Sequence, residues 1–434
     1  MNYGHFRNRR ERLFSQMEDG IAIIPAASVV HKNNSNEYPF IQYPNFYYLS
    51  GFYEPEAVLV MKKDAHSCKT IIFTQPRNPK SEQWTGLRLG PDRAAATLLV
   101  DEAYSIEEFD KMLPSLLKGH PTLYMELFGD HPIIQKVFQR CRSFGSMRGK
   151  DSILPQTVTN LTYLVAQMRL VKDEDEIDAI RKAVEISAEA YRSVMHYAKP
   201  GINERQVQGM LEFMFRQDPC SEPSYIPIIA SGNNATILHY VNNDRPLVDG
   251  ELLLIDAGSQ YQAWACDITR TFPVNGKFSS QQKDIYEIVL ASLNKGISSS
   301  APGETLEEID KICKDVLLEG LISLGILSGT FDEHVEKKSV GRFCPYAISH
   351  WLGLGVHEQC ATYTSDGILR PLGPGMVFTI EPGLYLPKEW TDIPDHFKGI
   401  GVRLEDDIVI TAEGGENLSA AIPVKVADVE ACCR

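Results

Sequence analysis

The chain has 434 residues, of which 43% are hydrophobic and 23% charged, and a formal net charge of −14 at pH 7. That length suits two domains, and that composition an ordinary globular protein. The acidic balance argues against a nucleic-acid surface, which needs basic patches, and no stretch approaches the roughly 18 apolar residues of a membrane span, so neither partner is expected.

In chain order, the opening MNYGHFRNRRERLF lacks the apolar segment of a secretory signal, and residues 8–17 read as a short amphipathic helix. Ile21 to Pro25, Ala57 to Met61, Ile71 to Thr74 and Thr122 to Met125 read as apolar strands, with a helix near 106–118. This alternation predicts a layered α/β domain over residues 1–170. The aromatic run Tyr38 to Gly51 is expected in its core, and Trp84, in a polar stretch, is a candidate contact residue. No GxGxxG or Walker loop is present.

Residues 171–434 carry a different pattern. Asp173 with Glu176 forms a capping box opening a helix to about Ala198; Pro200-Gly201 ends it, and Asn203 with Gln206 caps a second helix. The arrangement recurs about a hundred residues later, with Ser279 and Gln282, Pro302-Gly303, then Thr305 and Glu308. Two related halves are therefore expected, each followed by strands.

Those strands bear the chemistry. Leu252 to Ile255 is a buried-strand pattern ending in Asp256, and a second extended segment brings Asp267 before Thr269 and Thr271. A loop with His350 and His357 precedes two further strand-like runs, Met376 to Ile380 and Ile400 to Ile410, which place Glu381 and Glu405 in or beside apolar β structure. Carboxylates at such positions repel one another unless they share a proton or a cation. Four carboxylates and an imidazole suit a hard or borderline divalent ion: manganese first, with cobalt or zinc as alternatives. They suffice for two ions roughly 3.5–4 Å apart. The nine scattered cysteines, without CxxC spacing, read as reduced thiols in a cytoplasmic protein.

The segments IDAGSQYQAWACDITRTFPVNGKF, SHWLGLGVHE, TIEPGLY and GIGVRLEDDIVIT resemble the signature blocks of aminopeptidase P among the pita-bread metallopeptidases. EYPFIQYPNFYYLSGFYEPEAVLV and SEQWTGLRLG resemble that family's N-terminal domain. The resemblance implies an α+β pita-bread catalytic domain with two pseudo-symmetric halves behind the α/β domain. It also implies a dinuclear aminopeptidase that releases the N-terminal residue from Xaa-Pro peptides, and a homodimer or homotetramer. In that pattern Asp256 binds one metal, Asp267 and Glu405 bridge both, and His350 and Glu381 complete the shell. A hydroxide between the metals attacks the peptide, with Glu381 as proton shuttle. His239 contacts the substrate, His357 hydrogen-bonds the scissile peptide, Arg403 orients a carboxylate or the peptide, and Trp84 reaches a neighbouring subunit's site. From the residues alone, His239 reads as a core histidine, while the strand position of Arg403 beside a buried acid argues against a mere surface ion pair.

The chain departs from the family pattern at Tyr346, where relatives carry histidine, at Gly355 and Glu358, where they carry aspartate, and at Cys266, in place of glycine. No metal ligand is lost, but Tyr346 becomes a candidate wall of the proline pocket. The alternatives are an Xaa-Pro dipeptidase, a broader intermediate-cleaving aminopeptidase and, in another class, a non-catalytic peptide- or protein-binding module.

Overall fold

A computed structural model describes residues 3–127, 129–145 and 154–434. The chain forms two compact units, residues 1–169 and 170–434. No described helix is long and apolar enough to cross a membrane.

The first unit is built on a six-stranded mixed sheet. Its strands run, edge to edge, Glu102–Ser105, Ser67–Thr74, Val58–Asp64, Gly20–Pro25, Thr122–Met125 and Thr157–Asn160. The two longest form an antiparallel hairpin whose turn is tied by the Asp64 carboxylate, which accepts from the amides of His66 and Ser67. Ile21, Ile23, Val60, Ile71 and Phe73 pack from the sheet against Phe109, Leu113 and Val137 of two helices. The first helix spans Tyr3–Gln16, beginning earlier than the expected 8–17. It buries Arg10, whose guanidinium donates to the carbonyls of Leu49, Leu98 and Leu99. Two of those carbonyls lie at the ends of helices Pro44–Ser50 and Pro91–Leu98, where a cation complements the helix dipole. The aromatic run splits: Phe46, Tyr47 and Tyr48 are buried, whereas Tyr38 and Tyr43 face solvent.

The second unit shows the duplicated arrangement. Helices Glu174–Tyr197, Glu204–Phe215, Ser280–Ser299 and Leu306–Ser323 each begin with a complete capping box, at Asp173, Asn203, Ser279 and Thr305. Each cap satisfies amides the helix leaves open, typically stabilising it by about 1 kcal/mol. Between the helices Gly201 and Gly303 adopt φ of 92° and 94°, where a side chain would be strained. The Gly201 amide donates to the Leu247 carbonyl, and the Leu247 amide to that of Ile202; Gly303, Leu372 and Glu304 repeat this pairing in the second half. Strands Leu252–Asp256 and Val377–Ile380 then begin at equivalent points, and each pairs antiparallel with a later strand, Thr269–Pro273 or Asp406–Ile410.

The run Ile400 to Ile410, expected as one strand, is two. Ile400–Arg403 pairs with Gly383–Leu386, and Asp406–Ile410 pairs with Val377–Ile380, so the chain changes sheets at Leu404 and Glu405. Hydropathy could not reveal this, because both strands are buried throughout. Asp267 likewise lies between strands rather than within one.

Candidate metal centre

The duplicated strands deliver their acids to one place. Asp256 ends its strand opposite Thr269, and Glu405, at the sheet change, forms a bridge with the same Thr269. The Glu405 amide donates to the Thr269 carbonyl at 3.1 Å, and the Thr269 hydroxyl to Glu405 Oε2 at 2.7 Å. Glu381 directly follows Val377–Ile380, and its amide donates to the Ile348 carbonyl. His350 is held beside that strand by Thr379, whose amide donates to the His350 carbonyl.

Asp267, His350 and Glu405 each belong to two of three overlapping groups whose ligand atoms lie within 4.8 Å of one another. The groups are Asp256, Asp267 and Glu405; Asp267, His350 and His357; and His350, Glu381 and Glu405. A cavity of about 290 Å³ opens onto them, and its wall also includes His239, Tyr346 and Arg403. His239 is exposed there, not a core histidine, while its neighbour Tyr240 is buried. Arg403 is buried, not a surface residue, and donates to Asp256 Oδ2 at 2.5 Å. The His357 ring lies beside that of His350, tilted by 49° with ring centres 4.2 Å apart. Trp84 belongs to the first unit, with 87% of its surface exposed. Of the departures, Cys266 is buried against the Ser187 hydroxyl, and Glu358 turns inward to accept the amides of Leu354 and Gly355.

Electrostatics distinguish the acids. Burial pushes the Glu405 carboxyl far up, and the neighbouring Asp267 and Glu381 push it further. Burial likewise raises Asp256, opposed by Arg403, and carries Glu381 to about 8. Burial is also the largest single influence on Asp267, but His350, the Tyr225 hydroxyl and His357 together outweigh it and hold the carboxyl below its ordinary value. Burial would lower His350, yet Asp267, helped by Glu381 and the Trp351 carbonyl, takes it up to about 9. Clustered carboxylates that resist ionisation on their own become stable when cations sit among them. His350 Nδ1 lies 3.2 Å from the Trp351 carbonyl, which only accepts, so that nitrogen carries hydrogen and Nε2 faces Asp267 and Glu381. A buried set of oxygen donors with one correctly turned imidazole fits hard or borderline divalent ions.

Four supporting residues escaped the sequence reading. The Tyr225 hydroxyl lies 2.7 Å from Asp256 Oδ1 and 2.5 Å from Asp267 Oδ1. Asp407, wholly buried, accepts the Asp267 amide. Arg270 pairs with Asp406 at 2.7 Å and donates to the Glu405 carbonyl, fixing the backbone around that carboxylate. Tyr225 lies between two short strands, Ser221–Pro223 and Ile228–Ser231, with no distinguishing pattern, whereas the repeated acid after Glu405 was a usable signal for Asp406 and Asp407.

Residues 178–412 match metallopeptidase family M24, and residues 6–124 match the aminopeptidase P N-terminal domain. The chain is 39% identical to the Xaa-Pro aminopeptidase of Haemophilus influenzae over 98% of its own length and 96% of that protein's. It is 40% identical to that of Escherichia coli strain K12, with the same coverages. The structure of aminopeptidase PepP from Pseudomonas aeruginosa superposes with a TM-score of 0.96 at 37% identity, covering 100% of this chain and 98% of that one. The second unit therefore has the pita-bread architecture, and the chain is a metallo-aminopeptidase belonging to the aminopeptidase P family within metallopeptidase family M24.

Proposed function

We propose that this chain releases the N-terminal residue from peptides with proline in second position, using two divalent ions, manganese first among them. The observation that carries the reading is the sharing of Asp267 and Glu405 between ligand groups, the arrangement that two adjacent ions require. Asp256, Asp267, His350, Glu381 and Glu405 would hold the ions. Bound ions supply an ionised water at neutral pH and polarise the carbonyl it attacks.

The remaining work belongs to the chain. Glu381 takes the proton from the attacking water and delivers it to the leaving proline nitrogen as the peptide bond breaks. Arg403 fixes the orientation of Asp256. His239 and His357 both line the cavity; His239 contacts the substrate and His357 hydrogen-bonds the scissile peptide. The Tyr346 ring forms one wall for proline. The domain boundary is placed near residue 170, and Trp84 is assigned to contact between copies of a dimer or tetramer. The nine cysteines, all free, support a reducing, cytoplasmic setting.

Turnover of Xaa-Pro-Yaa, Xaa-Ala-Yaa and the dipeptide Xaa-Pro at saturating manganese tests the reading. Proline should be preferred over alanine by about 10–100-fold, the scale on which an apolar pocket discriminates. Equal rates contradict the proline assignment, and preference for the bare dipeptide identifies a dipeptidase. Peptide binding without turnover identifies a non-catalytic module.

A further inference from the structure

We infer that Tyr346 is a positioning residue whose hydroxyl completes a one-way hydrogen-bond relay from Arg403, through Tyr385, to the backbone of Glu381. This rests on the proposed role of Glu381. The contacts are continuous: Arg403 Nη1 to the Tyr385 hydroxyl, 2.8 Å; Tyr385 hydroxyl to Tyr346 hydroxyl, 2.8 Å; Tyr346 hydroxyl to the Glu381 carbonyl, 3.0 Å. A guanidinium only donates and a carbonyl only accepts. Each phenol has one proton, so both must point toward Glu381: Tyr385 donates to Tyr346, and Tyr346 to the carbonyl. The reverse orientation would leave that carbonyl without its phenol donor.

The β register builds this relay. Gly383 lies directly opposite Arg403, and Tyr385, two residues on, projects from the same face. Gly383 must lack a side chain there: a Cβ would come within 2.6 Å of the Tyr385 hydroxyl and 2.7 Å of the Tyr346 hydroxyl. Both polar groups of the Glu381 peptide are thus occupied, the amide by the Ile348 carbonyl at 2.8 Å and the carbonyl by Tyr346. Among the described residues the Glu381 carboxylate accepts no close hydrogen bond; His350 lies 3.6 Å away as an ion pair, with Glu405 also nearby. A backbone fixed independently of the carboxylate positions a proton carrier. The tyrosine at 346 is this chain's departure from the family pattern, so the relay's last link is specific to it.

The test measures kcat, KM and metal content for Tyr346→Phe, Tyr385→Phe and the double variant, as manganese-loaded full-length protein on an Xaa-Pro-Yaa tripeptide. Phenylalanine keeps the ring wall and removes only the hydroxyl. Each single variant should lose about fivefold to tenfold in kcat, the worth of one hydrogen bond, with KM and metal content unchanged. The double variant should be no worse than the poorer single, because links of one chain are not additive. Gly383→Ala should reproduce the kcat loss with both phenols present. Wild-type kcat in Tyr346→Phe, a rise in KM alone, loss of metal, or additive losses in the double variant would overturn the relay. An inactive wild type would refute the peptidase reading itself, so the two failures are distinguishable.

Discussion

Asp256 and Glu381 end equivalent strands of the duplicated unit, yet their carboxylates are held differently. Asp256 is gripped on both oxygens, by Tyr225 on one and Arg403 on the other. Among the described residues the carboxylate of Glu381 accepts no close hydrogen bond and lies 3.6 Å from His350, while its backbone is fixed at both polar groups. The same scaffold position therefore carries a pinned short acid in one half and a longer, freer one in the other. A pinned carboxylate serves as a permanent ligand; a freer one can also move a proton. Duplication supplies the symmetry of the centre, and local hydrogen bonding assigns the roles.

The largest expected effect falls where the halves meet. Asp267→Asn removes charge from a position shared by two ligand groups, while the amide preserves its shape. Losing a residue that only supports a ligand typically costs roughly 10–100-fold, so losing this ligand should cost more than about a hundredfold in turnover. Metal should be lost together with activity, while the thermal unfolding midpoint of the metal-free protein stays near wild type. An active variant that retains two ions per chain would contradict it.

Glu381→Gln separates the roles of the two strand ends. It should retain at least one ion but lose about a hundredfold or more in kcat, the range for a proton-transfer group. Turnover within about tenfold of wild type, ~1.4 kcal/mol in the barrier, would remove the shuttle assignment. The smallest effect belongs outside the duplicated unit. Trp84→Ala should raise KM severalfold for longer peptides and leave metal content untouched; light scattering that shows a fully active monomer would contradict the role given to its indole.

Much of this centre was legible because acids are conspicuous in apolar strands. Asp256, Glu381 and Glu405 stand out against Leu252 to Ile255, Val377 to Ile380 and Val402, where an unpartnered carboxylate would be costly. The capping boxes of the four duplicated helices could be read directly, because their two partners are only three residues apart. The sheet change at Leu404 and Glu405 could not, because buried strands on either side present the same apolar pattern. Tyr225 and the Tyr346–Tyr385 pair were also obscure as hydrogen-bonding partners: a tyrosine's contacts depend on which distant strand it meets. Their importance appears only once the register places Arg403 opposite Gly383.

The central claim is that five side chains from two related halves hold two ions. Elemental analysis of the purified wild-type chain, saturated with manganese and freed of excess, tests it most directly. Two ions per chain are expected, whereas one or none would contradict the dinuclear centre.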